Sequence, residues 1–209
     1  VTDTRPPRFL EWAREIQALA QTGCHYAQDH YQKDRSRRLM DIAAEMISAN
    51  SDLEFLPLAK SFQSQIGYAT PRVDVRAAVF REGKLLLVRE RIDGSWTMPG
   101  GWADVGDAPS QAAEREVMEE AGFRVKARKV LGIYDANRSG PLDVFHAFKI
   151  AFLCELIDGT ARPSVETSQV AFFTCEQAVS MVSGERTKPR LVEDAFALLA
   201  DPERPTVFD

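Results

Sequence analysis

Glu116, Glu119 and Glu120 are spaced so that, in a helix, all three carboxylates share one face. Like charges at that spacing cost about 0.2–0.5 kcal/mol per pair in an isolated helix. A divalent cation among them removes that cost. Carboxylate oxygens are the ligands Mg²⁺ and Mn²⁺ prefer, and Mg²⁺ typically takes one or two carboxylates together with waters and a substrate phosphate. Arg115 stands beside the acids. It reaches Glu119 one turn on, or folds back toward Asp107, and either contact orients a carboxylate without coordinating metal. The loop Gly100-Gly101-Trp102-Ala103-Asp104-Val105-Gly106-Asp107 leads into this helix. An acidic pair at a helix end is, taken alone, a solvated surface. The fixed register of glycine loop, helix start, arginine and three glutamates argues instead for a site.

The elements that must hold these residues follow from pattern. A helix over 108–121 has Asp107 as its cap, Pro109 in its first turn and Gly122 as its stop. Its Ala112, Ala113, Val117 and Ala121 turn toward a sheet. Val73–Phe80 and Lys84–Glu90 read as strands joined at Glu82-Gly83, with later strands at Val125–Tyr134, Val144–Leu156 and Gln169–Thr174. Further helices are predicted over 176–182 and 189–200. Irregular interspersion with hairpins predicts an α+β sandwich around a mixed sheet.

Ahead of it, residues 1–70 read as a small all-α domain, and residues 71–209 as the domain bearing the site. Phe9, Trp12, Ala13, Ile16, Leu19 and Ala20 form an apolar stripe that Gly23 ends. A second helix from about Asp34 to Ala49 buries Leu39, Ala43, Met46 and Ile47. A third begins near Ser51, with Leu53, Leu56 and Phe62 inward. Gly67-Tyr68-Ala69-Thr70-Pro71 is the junction.

Composition bounds the function classes. The 209 residues include 26 basic and 31 acidic side chains, a charge of −5, and 44% are apolar, enough for a real core. The acidic balance argues against broad capture of nucleic acid. Apolar runs such as Leu85–Val88 are far too short for a membrane span. The N-terminal VTDTRPPRFLEW lacks the apolar stretch of a signal peptide. Cys24, Cys154 and Cys175 are widely spaced, in no CxxC arrangement, and read as reduced thiols. A cytoplasmic protein with no membrane partner is the expectation. His25 and His30 fall in a polar linker and His146 in a strand, with no metal-ligand spacing, so none is given a catalytic role.

The run from Gly101 to Phe123 resembles the Nudix box, G-x5-E-x7-R-E-U-x-E-E-x-G-U with U apolar. Gly101, Arg115-Glu116, Val117, Glu119-Glu120, Gly122 and Phe123 match, and Asp107 replaces the loop Glu with a shorter arm of the same charge. The likeness covers about residues 72–200, including the Trp96–Gly101 approach and the Val73–Glu90 hairpin. The front segment is similar to the helical N-terminal domain of a bacterial Nudix subgroup described as pyrophosphatases of ADP-ribose or CDP-choline.

The resemblance implies a Nudix α/β/α sandwich that hydrolyses the pyrophosphate bond of a nucleoside diphosphate linked to another moiety. It assigns Glu116 and Glu120 to metal, Mg²⁺ or Mn²⁺. Glu119 is either a further ligand or the orienter of a metal-bound water. Gly100 and Gly101 admit metal or phosphate to the backbone, where a Cβ would interfere. Arg115 and Asp107 support the acids. Some family members take a general base from a loop outside the box, and Glu166 in Pro163–Ser168 is the candidate here. Arg89 and Arg91, at the end of a strand feeding the loop, meet phosphate or pair with a carboxylate. Arg138 lies on a loop able to cover substrate. Tyr134, Phe145 and Trp102 are candidates for stacking on a nucleobase.

Two other readings use the same residues. One is a house-cleaning nucleoside triphosphate pyrophosphatase, since the box chooses the chemistry and not the leaving group. The other, of a different class, is an ADP-ribose-sensing regulator whose helical domain binds DNA through Lys33, Arg35, Arg37 and Arg38. Residues 1–70 hold eight basic and nine acidic side chains, whereas a DNA-binding module should be clearly basic. No nucleic-acid partner is therefore expected. The stripe of Phe9, Trp12 and Ile16 needs a partner within the chain or across a two-fold axis, so the helical domain is expected to shape a homodimer or to wall part of the substrate pocket.

Overall fold

The computed structural model describes residues 7–137 and 144–209. Among them the chain divides into two compact units, residues 7–72 with 137 and 144–146, and residues 73–136 with 147–209.

The first unit is built on three helices, α1 (Arg8–Tyr26), α2 (His30–Ser48) and α3 (Phe55–Ser64). Their core is Leu10, Ala13, Ala20, Met40, Ala43, Ala44, Ile47, Leu58, Ala59 and Phe62. The buried face of α1 is rotated from the expected stripe. Leu10, Ala13, Gln17, Ala20 and Gln21 point inward, while Trp12 and Leu19 are exposed. The reason lies in size, because small side chains let two helices approach. Gly23 does not end α1; it lies inside it, where an added Cβ would come 3.0 Å from Ser36 Oγ of α2. Helix α2 starts earlier than expected because Asp29 caps it, Oδ1 accepting from Gln32 N at 2.8 Å. Met40, Ala43, Ala44 and Ile47 are buried there and Leu39 is exposed, and on α3 Phe62 is buried and Leu56 exposed. His25 and His30 therefore belong to helices rather than a linker.

The second unit carries seven strands: β1 (Arg72–Arg81), β2 (Lys84–Glu90), β3 (Trp96–Thr97), β4 (Phe123–Asp135), β5 (Ala147–Gly159), β6 (Thr167–Phe173) and β7 (Val207–Phe208). Their order is β3-β2-β1-β5-β4-β7, with β6 antiparallel to β2 from Leu85–Phe173 to Glu90–Thr167. β4 and β5 form a long antiparallel pair and β7 runs parallel to β4, so the sheet is mixed. His146 precedes β5 rather than lying in it.

Alternation along the strands sorts two cores. Val75, Ala77, Val79, Leu86 and Val88 pack under Ala112, Ala113, Val117 and Ala121 of α4 (Pro109–Ala121). Ala78, Leu85 and Leu87 pack under Ala178, Leu191, Val192, Ala195 and Leu198, from α5 (Cys175–Met181) and α6 (Pro189–Ala200). The expected α/β/α sandwich is present, preceded by the helical segment. No helix of the described residues is long and apolar enough to cross a membrane.

Candidate active site

Three backbone bonds fasten the glycine loop along β1. Ala77 N donates to Pro99 O at 2.9 Å, Val75 N to Gly101 O at 2.8 Å, and Ala103 N to Val73 O at 3.0 Å. Gly100 lies so close to the strand that a Cβ would sit 2.0 Å from Val75 O, at φ +143°. Only glycine closes this contact. A Cβ at Gly101 would stand 3.4 Å from both carboxylate oxygens of Glu116. The bare backbone thus leaves room in front of that side chain.

Helix α4 supplies the acids. Its N-cap is Ala108, not Asp107, with Pro109 in the first turn and Gly122 closing the far end at φ +76°. Glu116 and Glu120 are buried, and Glu119 is exposed. Glu120 Oε2 accepts from Gly100 N at 2.9 Å, and Thr167 Oγ1 donates to the Glu120 carbonyl at 2.7 Å. Both readings of Arg115 hold together. Its guanidinium meets Asp107 Oδ2 at 3.2 Å, Glu119 Oε2 at 3.0 Å, Glu116 Oε1 at 2.9 Å and Asp104 Oδ2 at 3.3 Å. Asp107 is a partner of the arginine rather than a helix cap.

Burial pushes the Glu120 carboxyl up to about 8, with Glu116 and Glu90 adding to it while the Gly100 N–H and Arg76 oppose it. Burial likewise raises Glu116, against the pull of Arg115. These are hard oxygen donors whose charge is disfavoured by burial, and a divalent cation offsets that cost. Among the described residues no group of three or more His, Cys, Asp or Glu side chains forms a preassembled metal cage. A Mg²⁺-type ion needs only one or two carboxylates if waters and substrate phosphate complete its shell, so Glu116 and Glu120 beside the Gly100–Gly101 backbone suit it.

Beneath the loop lies a polar network not anticipated from the sequence. Arg76 is buried, with two guanidinium nitrogens on Asp74 at 3.0 and 2.8 Å and a third on Met98 O at 3.1 Å. Burial opposes its charge, but Asp74, Glu120 and Glu90 hold it protonated. Lys149 Nζ lies 3.6 Å from Asp74 and also donates to Arg186 O. Burial and the neighbouring Arg76 draw Lys149 down to about 8. Arg186 pairs with Asp93 at 2.6 Å and stands 3.9 Å from Glu90. Thr187 joins its hydroxyl to Thr97 at 2.7 Å and accepts from Met98 N at 2.9 Å. The available signal was Asp74-Val75-Arg76, a charged pair two residues apart in an otherwise apolar strand.

The remaining expected residues are spread around this centre. Arg89 Nε donates to Gly94 O at 2.9 Å and Arg91 Nε to Ser164 O at 3.2 Å, so both arginines brace loops through main-chain carbonyls. Glu166 is exposed in the loop before β6, its carbonyl accepting from Arg91 N at 2.8 Å, and its charge is felt by Glu90. Arg138 lies outside the described residues. Tyr134 is buried with its hydroxyl on Asp194 at 3.1 Å, which removes it as a stacking surface, whereas Trp102 is exposed. Phe145 belongs to the helical unit, against Phe62. Of the basic cluster on α2, Arg37 pairs with Asp34 at 3.5 Å and Arg38 with Glu45 at 2.8 Å on a solvated face.

A family model described as the NUDIX domain matches residues 70–195, and one described as a UDP-X-like, N-terminal oligomerisation domain matches residues 7–62. The candidate ADP-ribose pyrophosphatase YjhB of Bacillus subtilis is 35% identical over 203 residues, 97% of each chain. A solved ADP-ribose pyrophosphatase from Streptococcus suis is 34% identical, over 67% of this chain and all of that one, with a TM-score of 0.61. A solved UDP-X diphosphatase is 29% identical over 96% of this chain and 98% of that one, with a TM-score of 0.62. With the box residues gathered as described and the model spanning more than half its length, the chain belongs to the Nudix hydrolase family.

Proposed function

We propose that this enzyme uses Mg²⁺ or Mn²⁺ to hydrolyse the pyrophosphate bond of a nucleoside diphosphate linked to another moiety, with water attacking phosphorus. The observation that carries this reading is the pair of buried carboxylates, Glu116 and Glu120, facing the Gly100–Gly101 backbone, where a Cβ has no room at Gly100. ADP-ribose and UDP-linked moieties head the list of substrates, because relatives over the full length carry those names. CDP-choline, from the subgroup resemblance, follows them.

Glu116, Glu120 and the Gly100 carbonyl are the residues to hold the ion, with Glu119 a further ligand or the orienter of a water. The ion, when bound, neutralises the diphosphate and lowers the pKa of water. Arg115 keeps the box acids in register through its four carboxylate contacts. Glu166 is the candidate base, on a loop tied to the end of β2 by the Arg91–Glu166 backbone bond. Arg89 and Arg91 retain further guanidinium nitrogens for phosphate beyond those committed to loops. Gly101 gives the phosphates access to the backbone, and Arg138 is a substrate contact on the same sequence grounds.

Residues 1–70 act as an accessory domain that joins two copies, ahead of a hydrolase domain over 71–209. Trp12, Leu19 and Tyr26 lie seven residues apart along α1 and are all exposed, an apolar seam suited to a second copy of the same helix. A panel of ADP-ribose, UDP-sugars, CDP-choline, dinucleoside polyphosphates and nucleoside triphosphates, assayed with each metal, tests the substrate class. Cleavage of triphosphates alone would overturn it in favour of a house-cleaning role. Sedimentation of a Trp12→Glu/Leu19→Glu variant tests the seam: an unchanged dimer mass refutes it.

A further inference from the structure

Met98, two residues before Gly100, has both of its backbone polar groups held by side chains from distant parts of the chain. Its N–H donates to Thr187 Oγ1 at 2.9 Å, and its carbonyl accepts from an Arg76 guanidinium nitrogen at 3.1 Å. That carbonyl belongs to the Met98–Pro99 peptide, which has no N–H. A side chain bonded to it therefore holds the peptide's only polar group. Thr97 Oγ1 donates to the same carbonyl at 3.2 Å and lies 2.7 Å from Thr187 Oγ1, which closes a ring of bonds around Met98. Thr97, Met98 and Thr187 are all fully buried, so water does not share these bonds.

Arg76 is well shaped for this contact. Its Nε and one terminal nitrogen meet Asp74 at 3.0 and 2.8 Å, which fixes the plane of the guanidinium and leaves the other terminal nitrogen for Met98. The main chain on either side of Arg76 continues the hold, with Ala77 N on Pro99 O at 2.9 Å and Val75 N on Gly101 O at 2.8 Å. Met98, Pro99 and Gly101 are thus each bonded to β1, and Gly100 packs against Val75 between them. The Gly100 N–H is left for Glu120 Oε2, at 2.9 Å. We infer that Arg76, oriented by Asp74, and Thr187 form a clamp on Met98 and are positioning residues for the metal site. The clamp sets the direction of the Gly100 N–H and, through it, the carboxylate of Glu120. This inference rests on the proposed role of Glu116 and Glu120 as metal ligands; neither Arg76 nor Thr187 is a ligand in it.

The choice of substitution separates positioning from charge. Arg76→Lys keeps the charge, but an ammonium is a point donor and cannot hold Asp74 and Met98 together as the planar guanidinium does. Thr187→Val changes no charge and removes the links to Thr97 and to Met98 N. The probe is Mn²⁺, titrated into the full chain and followed by the electron paramagnetic resonance signal of the free ion. The wild type should bind it, Glu120→Gln should bind it more weakly, and Arg76→Lys and Thr187→Val should each lose about tenfold in affinity. Val192→Ala, a core substitution under the sheet that loosens the fold without touching the clamp, should keep wild-type affinity. Circular dichroism and melting temperature establish which variants fold, and Thr187→Val decides if Arg76→Lys does not. Wild-type affinity in either folded clamp variant, with Glu120→Gln still weakened, overturns the clamp and leaves the metal reading standing. An equal loss in Val192→Ala also overturns it, in favour of general loosening. No difference between the wild type and Glu120→Gln overturns the metal reading and the clamp with it.

Discussion

Lys149 is a cation with a side chain only 11% exposed, and the cost of its charge can be read from the pH dependence of stability. Its ammonium stands beside Asp74 at 3.6 Å, but the nearer partners of that carboxylate are the two nitrogens of Arg76 at 3.0 and 2.8 Å. Asp74 is thus largely spent. Burial and the Arg76 charge bring Lys149 from an ordinary 10.5 down to about 8. Each pH unit between those values is worth about 1.4 kcal/mol, so holding the group charged at pH 7 costs the folded state about 3 kcal/mol. Between pH 8 and 10.5 the unfolded chain keeps a proton that the folded chain has released. Stability should therefore rise with pH across that window and stay depressed below it.

Lys149→Met removes the charge and keeps most of the volume, at the expense of one hydrogen bond to the Arg186 carbonyl worth about 1 kcal/mol. The variant is expected to be more stable than the wild type by about 2 kcal/mol at pH 7, the advantage shrinking as pH approaches 9.5. Urea unfolding at pH 7.0, 8.0, 9.0 and 9.5, in a Trp12→Phe background so that Trp96 and Trp102 report on the sheet unit, measures the difference. Lys188, lowered by burial, and Cys154, pushed up to about 12 by burial, also titrate differently in the two states. Their contributions appear in both proteins and cancel to first order. A variant less stable than the wild type at pH 7, with an unchanged pH slope, would refute the reasoning.

Further outcomes follow from single contacts. Gly100→Ala should destabilise the protein by about 3 kcal/mol or more and abolish activity, because Val75 O stands 2.0 Å from the new Cβ and is backbone. Gly106→Ala, equally left-handed at φ +106° but facing open space, should cost only about 1 kcal/mol, and equal melting-temperature losses would sink the distinction. Arg115→Lys should recover little of the activity lost in Arg115→Met, since one ammonium cannot span the carboxylates that the guanidinium fork holds; near-wild-type kcat in the lysine variant would count against it. Glu120→Gln should lower kcat by about a hundredfold or more while circular dichroism and melting temperature hold. Normal turnover there would break the metal assignment.

What the sequence made legible is what is local in the chain. Glu116, Glu119 and Glu120 follow from helical spacing, Arg115 from its neighbours, and the strand hairpin from Glu82-Gly83. What stayed hidden is what distant segments assemble. Arg76 looks like an outward residue of an alternating strand until the Pro99–Ala103 segment is laid along β1. Lys149, Arg186 and Thr187 reach that network from β5 and the α5–α6 connection, and no spacing rule joins them. On α1 the error was one of phase: large apolar residues suggested the buried face, but alanines and glutamines occupy it and Trp12 and Leu19 stay outside.

That division follows the chemistry. Between Gly101 and Gly122 six acids face Arg115 alone, a local charge of −5 that equals the excess of the whole chain. On the proposed reading such a segment repels a diphosphate until a cation is bound, so its residues must be fixed relative to one another; α4 fixes the glutamates, and the bonds of the glycine loop to β1 fix the rest. Holding Arg76 charged beneath those acids requires burial, and burial of an arginine requires partners that no single segment can supply. Asp74 supplies two of the bonds from the same strand, β1, and the Met98 carbonyl adds a third from the approach to the glycine loop. A substitution at Asp74 should accordingly reach Glu120 through Arg76, across a distance in sequence that box spacing alone would never suggest.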